Sequence, residues 1–311
     1  MDKIICVAGP TASGKTAFAA ELAKMVSGEV VSCDSMQIYR RMDIGTAKPT
    51  ADEMQGIPHH MLDVCEPDED FSVSRYCEMA TPIVEDILAR GKTAIIAGGT
   101  GLYMDALIRG NTFAPYPATG RRQELEALAD REGIEAVMAR LQAVDPESAA
   151  RLHLSDRKRI IRAMEVYLET GETITAHNRK TQAIPPRFTP LWFGLEDENR
   201  QHLYDRIDAR VDRMLEDGLI QEIVALLEAG IPSKCTAMQA IGYKEFVAAL
   251  EGQCTFAQAA DQVRQSSRHY AKRQLTWFRR NPAMHWLRRG EKEGTAQVIE
   301  KARQFLRDFD N

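Results

Sequence analysis

One segment near the N-terminus constrains the fold more than any other part of the sequence. An apolar run from Lys3 to Ala8 leads into the octapeptide GPTASGKT, and an amphipathic run from Lys15 to Val26 follows it. Strand, glycine-rich loop and helix in this order are typical of a P-loop, in which backbone N–H groups and a helix N-terminus hold a polyphosphate. The sequence therefore predicts an α/β fold with a polyphosphate site, although the pattern does not specify ATP. The predicted ligands are all the loop residues: Gly9, Pro10, Thr11, Ala12, Ser13, Gly14, Lys15 and Thr16.

Two side chains of this loop have predicted roles of their own. Lys15 is expected to neutralise phosphate oxygens, and Thr16 is expected to place its hydroxyl on a metal ion. Mg²⁺ is the usual ion beside protein-bound phosphates, because it keeps several waters and needs few protein ligands. The sequence therefore predicts Mg²⁺ as the cofactor and Thr16 as its ligand.

Further apolar runs indicate more strands, among them Thr93 to Ala97 and Arg187 to Leu195. Helical segments alternate with the strands in the N-terminal part of the chain, which favours a parallel sheet covered by helices on both faces. One of these helices is predicted to begin near an N-cap at Ser72 and to bend or break at Pro82. From Asn199 onward the chain is predicted to be mainly helical.

The middle of the chain has a different pattern. Two proline-rich stretches, Asn111–Pro117 and Ile184–Pro190, enclose a region that is almost entirely helical in its periodicity. We predict a helical insertion domain at residues 114–187, within a catalytic core formed by residues 1–113 and 188–311. The predicted fold class is α/β: a P-loop NTPase-like parallel sheet core with a helical insertion domain.

Composition favours a globular cytoplasmic enzyme, expected to be a monomer. The 311 residues carry a net charge of −5 and include six cysteines, none of them in a CxxC pair. Such cysteines are expected to be reduced thiols. The first apolar run is too short for a signal peptide or a membrane span, so no membrane partner is expected. Because the net charge gives no global sign of nucleic-acid binding, such a partner would have to be bound by local basic patches.

Asp34 is the first candidate for chemistry outside the loop. It follows an apolar run from Glu29 to Cys33, so it is placed at the carboxyl end of a strand, where open α/β sheets bind their ligands. A carboxylate there can accept a proton or hold a metal ion through water. Alternatively, Asp34 is an N-cap for the segment that begins at Ser35.

The segment GGTGLY follows the run Thr93 to Ala97 and is expected to face the same crevice. Its adjacent glycines would allow close approach of a ligand to the backbone, and Thr100 offers a hydroxyl. An ordinary strand-to-helix turn would have a similar composition.

The consecutive histidines His59 and His60 have no carboxylate or cysteine at metal-ligand spacing, so we interpret them as part of a loop.

One cluster of basic residues lies at a predicted helix start. Arg157, Lys158 and Arg159 occupy the first turn of a helix predicted to begin at Ser155, and Arg162 follows one turn later. Cations in a first turn oppose the helix dipole by a few tenths of a kcal/mol each. Stability alone does not explain them, so they are candidates for binding nucleic acid.

A second basic segment runs from Gln262 to Gly290 and contains eight Lys or Arg and no acidic residue. Arg264, Arg268 and Lys272 recur every four residues on one helical face, with aromatic residues interleaved. This arrangement is typical of nucleic-acid binding. The alternative is a helix that packs its aromatic side chains on the core while its charges remain in solvent.

A resemblance now adds to these observations. The segments that carry it follow one another along nearly the whole chain: GPTASGKT, VVSCDSMQIYR, IGTAKP, PHHMLD, IIAGGTGLY, DRKRIIRAMEVY, AIGYKE and YAKRQLTWFRR. Together they resemble the bacterial tRNA dimethylallyltransferase family. The resemblance implies that a dimethylallyl group is transferred from its diphosphate to N6 of adenine 37, beside the anticodon, in tRNAs that read codons beginning with U.

The resemblance also implies roles for individual residues. Asp34 corresponds to the general base, Thr100 to a hydroxyl near the same amino group, and Arg210 to an arginine at the leaving diphosphate. Lys15 and Thr16 correspond to ligands of the diphosphate and of Mg²⁺. The residues implied to contact tRNA are Asp34, Ser35, Met36, Gln37, Thr100, Arg122, Lys158, Arg159, Ile160, Ile161 and Arg162.

Three other function classes compete with this interpretation. In a P-loop small-molecule kinase, ATP would occupy the loop and Asp34 would activate a substrate hydroxyl; the long insertion and GGTGLY argue against it. A prenyltransferase acting on free AMP or ADP would not need the basic helices. A GTPase that binds RNA without catalysing transfer would require a guanine-reading N/T-K-x-D motif, which we do not find in the sequence.

Overall fold

The computed structural model describes residues 2–110 and 119–310. The chain divides into two compact units, which we call the core unit (residues 1–110 and 187–311) and the insertion unit (residues 111–186). Of the two proline-rich stretches that enclose the predicted insertion, Asn111–Pro117 lies outside the described residues, whereas Ile184–Pro190 lies within them.

A single parallel sheet organises the core unit. In the described part of the chain its order is β3-β2-β4-β1-β5-β6, and every neighbouring pair is parallel. The carboxyl ends of the central strands lie level with one another, because Gly98 pairs with both Ala8 and Cys33. The residues that follow these strands therefore meet at one edge of the sheet. The strands are β1 (Asp2–Ala8), β2 (Gly28–Cys33), β3 (His59–His60), β4 (Thr93–Gly98), β5 (Phe188–Asp197) and β6 (Met284–Arg289).

Helices complete both units. Those of the core unit are α1 (Lys15–Met25), α2 (Ala51–Met54), α3 (Val73–Ala89) and α4 (Gly101–Arg109) before the insertion. The insertion unit contains α5 (Arg121–Glu132), α6 (Ile134–Val144), α7 (Pro146–Arg151), α8 (Arg157–Thr170) and α9 (Ile174–Ala183). The core unit then continues with α10 (Arg200–Glu216), α11 (Leu219–Glu228), α12 (Tyr243–Leu250), α13 (Phe256–Phe278) and α14 (Thr295–Asp310). No helix in the described ranges combines the length and the apolar character needed to cross a membrane.

Both faces of the sheet are covered, as the apolar runs predict. On one face α1 and α14 pack against β1 and β5, and the rings of Phe18 and Phe193 meet edge-on with centroids 6.0 Å apart. Because side chains alternate along a strand, Cys6 points to the other face. There Tyr76 of α3 stacks on Tyr103 of α4 with centroids 4.8 Å apart, and its hydroxyl donates to the carbonyl of Ser32.

Two strands differ from the sequence predictions. His59-His60 is not a loop but the short strand β3, which pairs with β2, and β6 lies in the region predicted to be mainly helical. A strand of two residues is too short to show a periodicity, and β6 is an edge strand that buries few of its side chains. Pro82 does not break α3, which begins after its N-cap Ser72 and continues to Ala89.

The insertion unit has its own hydrophobic core. Its helix α8 begins at Arg157 after an N-cap at Asp156, so the predicted cap at Ser155 is wrong by one position. The Ser155 hydroxyl is instead hydrogen-bonded to the ring of His153. The first turn of α8 nevertheless contains the predicted run of cations, and α8 ends at Gly171, which has a left-handed conformation. The buried residues of this unit include Leu125, Leu128, Val137, Leu141, Ile160, Ile161 and Met164.

Candidate active site

The glycine-rich loop connects β1 to α1 as predicted. Gly14 adopts a left-handed conformation (φ +85°) directly before the first residue of α1, so the first turn of the helix points its N–H groups toward the loop. Lys15 folds back over the loop and donates from Nζ to the carbonyl of Pro10 at 2.7 Å. The hydroxyl of Ser13 is buried and has no hydrogen-bond partner within the described residues. These groups form a cradle of donors suited to an anion.

Three arginines surround this loop. Arg210 of α10 donates to the hydroxyl of Thr11 at 3.1 Å, and Arg206 donates to the carbonyl of Ala12 at 2.9 Å. Arg206 is in turn held by two bonds to the carboxylate of Asp197, at the end of β5. Arg289, at the end of β6, packs so closely that a Cβ on Gly14 would lie 2.8 Å from its guanidinium. Of the three, the sequence had suggested Arg210 alone.

The charges of the site affect one another. Burial lowers the pKa of Lys15 to about 8. The negative charge of Asp34 raises this pKa, and the positive charge of Arg210 lowers it further. Burial also lowers the pKa of Arg210, again opposed by Asp34. Asp34 is therefore close enough to both cations to stabilise their charged forms. A polyphosphate bound here would add to that effect.

Asp34 begins the turn after β2 and is half-buried. Its Oδ1 accepts from the backbone N–H of Met36 at 2.8 Å and, more weakly, from that of Gln37 at 3.4 Å. Asp34 thus caps a turn, as the alternative interpretation proposed, but no helix follows. No hydrogen bond to Oδ2 is formed within the described ranges, so one oxygen fixes the turn while the other can serve as a base.

The rest of this turn is fixed by Gln37. The side chain of Gln37 donates to the carbonyls of Thr46 and Ala47, at 3.3 and 3.0 Å, and accepts from the hydroxyl of Ser32. Met36 packs against the hydrophobic cluster of the C-terminal helices. These contacts fix the segment that the sequence proposed as an RNA contact.

Thr100 meets the Asp34 turn from the neighbouring strand. Its hydroxyl accepts from the backbone N–H of Ser35 at 3.0 Å, and its own N–H donates to the carbonyl of Cys33 at 3.2 Å. Tyr270 of α13 belongs to the same environment: burial raises the pKa of its hydroxyl, and Thr100 lowers it. The structure thus brings together the ends of β2 and β4, as the parallel sheet predicts.

The glycines around Thr100 serve a different purpose from the one expected. A Cβ on Gly99 would lie 2.1 Å from Nε2 of Gln274, and a Cβ on Gly101 would lie 2.2 Å from the Trp277 ring. The close approach is therefore made by side chains of α13 and not by a ligand. Trp277 also donates to the carboxylate of Asp105 at 3.0 Å.

The donor set around Thr16 is compatible with Mg²⁺ bound together with a phosphate. The described residues contain no cluster of three or more His, Cys, Asp or Glu that could hold a metal ion by itself. Mg²⁺ beside phosphates needs only one or two protein ligands, the remainder being phosphate oxygens and water. Thr16 is half-buried in the first turn of α1, next to the donor cradle, so its hydroxyl suits this role.

A second candidate site lies within the insertion unit. A pocket of about 480 Å³ opens there between α5, α7 and α8. Its lining combines an apolar floor with five cations, four of which the sequence had proposed as RNA contacts. The lining residues are Arg122, Ser148, Arg151, Leu152, Lys158, Arg159, Arg162, Ala163 and Ile174.

The cations of this pocket differ in their partners. Arg122 and Arg162 each form an ion pair along their own helix, with Glu126 and Glu165. Within the described ranges, no ion pair is formed by Lys158 or Arg159. Two uncompensated cations in a first turn are unfavourable for the free protein, so an anionic partner accounts for them better than stability does.

Arg151 is the cation of the pocket that sequence reasoning missed. Its guanidinium lies 3.4 Å from the hydroxyl of Ser148 and 3.3 Å from that of Thr175. Both hydroxyl-bearing residues are bonded to the buried carboxylate of Asp145. Arg151 ends a helix of only six residues, which is too short to show a periodic pattern of cations. Ile160 and Ile161, in contrast, have buried side chains, so their side chains are not available to RNA.

The second basic segment is largely explained by packing within the core unit. Arg268 forms two bonds to the carboxylate of Asp208 on α10, and Arg264 pairs with Asp212 of the same helix and with Asp261. The repeat of cations every four residues therefore matches a repeat of acids on the neighbouring helix. The charges of Arg264 and Arg268 are thus paired within the core unit, whereas the packing alternative had left them in solvent.

The fold and the loop define the class: a P-loop α/β protein with an anion cradle at the carboxyl edge of a parallel sheet. The chain belongs to the IPP transferase family, whose model matches residues 37–281. This match begins after the whole P-loop (residues 9–16) and after Asp34, so the loop is recognised by its own geometry.

Individual relatives agree with this assignment. A tRNA dimethylallyltransferase from Acetivibrio thermocellus is 42% identical over 310 residues, which cover 99% of each chain. The enzyme of that name from Halalkalibacterium halodurans is 43% identical over 300 residues, covering 96% of this chain and 95% of the relative.

Solved structures show the same likeness. The full-length tRNA isopentenylpyrophosphate transferase from Bacillus halodurans is 40% identical, with a TM-score of 0.75. The match covers 100% of this chain and 97% of that one. A eukaryotic dimethylallyltransferase acting on tRNA is 28% identical, with a TM-score of 0.83 over 99% of this chain and 80% of the other. The parallel sheet and its helices thus occur in enzymes of this family.

Proposed function

We propose that this protein transfers a dimethylallyl group from dimethylallyl diphosphate to N6 of adenine 37 in tRNAs that read codons beginning with U. One observation carries the proposal: β1 and β2 end level with each other beside Gly98 of β4, so the anion loop after β1 and the half-buried Asp34 after β2 lie at the same edge of the sheet. A base and a diphosphate cradle are thus adjacent in a member of the IPP transferase family. Acting on tRNA, the enzyme is expected in the cytoplasm, as a monomer.

The acceptor side of the reaction requires a base. The amino group of adenine is a weak nucleophile, because its lone pair is delocalised into the ring. As the bond from N6 to C1 of the dimethylallyl group forms, the N6 proton passes to Oδ2 of Asp34. Oδ1 keeps the turn in place through its bond to the N–H of Met36. We assign Thr100 to the orientation of the adenine amino group.

The donor side requires stabilisation of the leaving group. The bond from C1 to the diphosphate oxygen breaks in the same step, and negative charge builds up on the departing diphosphate. Lys15, Arg210 and the loop N–H groups are placed to hold that charge. Mg²⁺ bound with the diphosphate at the Thr16 hydroxyl would supply further charge stabilisation.

The pocket of the insertion unit suits the phosphates of the RNA. Lys158 and Arg159 project uncompensated charge, and Arg122, Arg151 and Arg162 complete the lining. Cations bound to phosphates release counterions, so each contact made here adds to the salt dependence of binding. The adenine itself has to leave its stack to reach a base beside the sheet, which agrees with base flipping in enzymes that modify bases.

The proposal is tested by incubating the protein with unmodified tRNA, Mg²⁺ and dimethylallyl diphosphate, and weighing the digested nucleosides. We expect one five-carbon unit on adenosine and the release of diphosphate. A parallel reaction with ATP should consume none of it. Absence of the five-carbon gain refutes the proposal, and ATP consumption would support a kinase. Gain on free AMP at the same rate as on tRNA would support the nucleotide prenyltransferase.

A further inference from the structure

We propose that Gln274 is a positioning residue that couples the diphosphate loop to the turn carrying Thr100. The inference rests on the proposed function, which assigns dimethylallyl diphosphate to the loop and the adenine to the turn. Gln274 lies on α13, far from both segments in sequence, and its side chain closely approaches Gly99. Its side chain is only 5% exposed.

The two ends of the Gln274 amide have different partners. Its Oε1 accepts from the backbone N–H of Thr11 at 2.8 Å. Its Nε2 donates to the carbonyl of Gly99 at 3.0 Å. A primary amide is the side chain that offers one acceptor and one donor at this spacing. The residue therefore links β1 and β4 at the edge where the site lies.

From Thr11 the link continues to the donor side. The hydroxyl of Thr11 accepts from Arg210 at 3.1 Å. Arg210 is the arginine proposed to hold the leaving diphosphate. Any displacement of Thr11 thus moves the partner that fixes this guanidinium.

From Gly99 the link continues to the acceptor side. Thr100 is the next residue, and its hydroxyl is bonded to the N–H of Ser35, beside Asp34. Tyr270 lies one helical turn before Gln274, and both Thr100 and Gln274 lower the pKa of its hydroxyl, which burial raises. Trp277, three residues after Gln274, packs on Gly101. One face of α13 therefore holds the whole acceptor turn.

Packing alone does not account for an amide here. An apolar side chain of the same length would fill the same space, but it would leave the N–H of Thr11 without its partner. A polar group that is left unpaired on burial destabilises the folded state. The glycine at position 99 is adapted to this residue, because any Cβ there would meet Nε2 at 2.1 Å.

The test replaces Gln274 by glutamate, Gln274→Glu, and compares single-turnover rates with the parent across pH. The carboxylate accepts from Thr11 but cannot donate to Gly99, whereas the protonated carboxyl offers the same acceptor and donor as the amide. Burial raises the pKa of such a carboxyl. We expect a rate about tenfold or more below the parent near pH 8, with a ratio that rises toward one near pH 5.5.

The control is Gln265→Glu, an exposed position on the same helix, whose rate ratio should stay near one at each pH. A ratio for Gln274→Glu that does not change with pH, whether near one or far below it, overturns the inference. Gln274→Met, which cannot form either bond, provides a second measurement that does not depend on a buried charge.

For Gln274→Met we expect weaker binding of inorganic diphosphate by calorimetry and a lower turnover, while tRNA affinity stays within about twofold. A methionine variant that matches the parent in diphosphate affinity and turnover overturns the inference. If the parent itself transfers no dimethylallyl group, the proposed function fails. Diphosphate binding can be measured without turnover. A lower diphosphate affinity in Gln274→Met would therefore still support the coupling in that case, and an unchanged affinity would refute it.

Discussion

Asp34 shows how one side chain can have two roles. Its Oδ1 fixes the turn after β2, and Oδ2 is the oxygen proposed as the base. Asn retains an acceptor for the N–H of Met36 but cannot take a proton. For Asp34→Asn we therefore expect turnover to fall by roughly 10² to 10⁴ in single-turnover experiments. The affinities for tRNA and donor, measured separately, should remain near those of the parent.

Other outcomes would assign Asp34 differently. If it acts only as a cap, Asn should serve equally well and activity should hardly change. If it acts through the metal, the Mg²⁺ requirement and the donor affinity should shift together. A rate within about tenfold of the parent contradicts the base assignment.

Lys15 predicts a pH dependence of donor binding. Burial lowers its pKa to about 8, so in the free protein its positive charge is present below that pH and is lost above it. Bound diphosphate favours the charged form, which means that binding takes up a proton at high pH. Donor affinity should be level below about pH 7 and should fall by up to about tenfold per pH unit above 8. Calorimetry with inorganic diphosphate at saturating Mg²⁺ measures this; an affinity that stays level up to pH 9.5 would contradict it.

At the scale of single residues, local pattern and family likeness predict different things. The loop and the position of Asp34 follow from the order of strand, glycines and helix. Arg210 was found through the resemblance alone, because nothing in the local sequence of α10 distinguishes it from Arg206. Gln274 was missed, since an isolated glutamine on a basic helix carries no signal until the fold places it beside Gly99.

At the scale of single elements, the surface cations of α8 predict how tightly tRNA binds and how that binding depends on salt. Replacing Arg159 and Arg162 together by glutamine should weaken tRNA binding. It should also reduce the slope of log K against log salt by about 1 for each phosphate contact removed. Filter binding or fluorescence anisotropy at several salt concentrations gives that slope.

Two control variants sharpen this measurement. Arg179→Gln removes an exposed cation of the insertion unit that does not line the pocket. Arg268→Gln removes a cation that is already paired with Asp208 on the neighbouring helix. Both should leave the slope unchanged. An equal change of slope in the control and the pocket variants would show that general charge, and not the pocket, governs binding.

Sequence periodicity identified long, buried elements better than short or exposed ones. β1, β2 and β4 are continuous apolar runs, and the sheet that they form was predictable. β3 has two residues, and β6 lies at the sheet edge with a mixture of apolar and basic side chains. The basic face of α13 was misjudged because the acids that pair with it lie on α10, out of reach of any local pattern.

For the whole molecule, ligand binding should increase the free energy of unfolding. A ligand that binds only the folded state at 100 times its Kd adds about 2.7 kcal/mol to the free energy of unfolding. Dimethylallyl diphosphate with Mg²⁺ should therefore raise the Tm of the parent. Lys15→Ala should lose most of that shift, because a charge-assisted contact is worth about 1.5–3 kcal/mol.

The same variant separates the two substrates. tRNA should bind Lys15→Ala as tightly as the parent, since the loop holds the small donor. The matched control is Lys24→Ala, an exposed lysine at the far end of the same helix. If tRNA affinity falls with donor affinity in Lys15→Ala, the assignment of the loop to the donor is wrong.

The place of β1 in the sheet sets the order in which the chain can mature during synthesis. β1 leaves the ribosome before β5, yet β5 is one of its neighbours in the sheet, where Asp2 pairs with Phe188. Until β5 has emerged, β1 presents an unpaired edge, which is a template for association with other chains. The nascent protein therefore has to shield β1 throughout the synthesis of the insertion unit, and chaperones that bind exposed strands should be needed most in that interval.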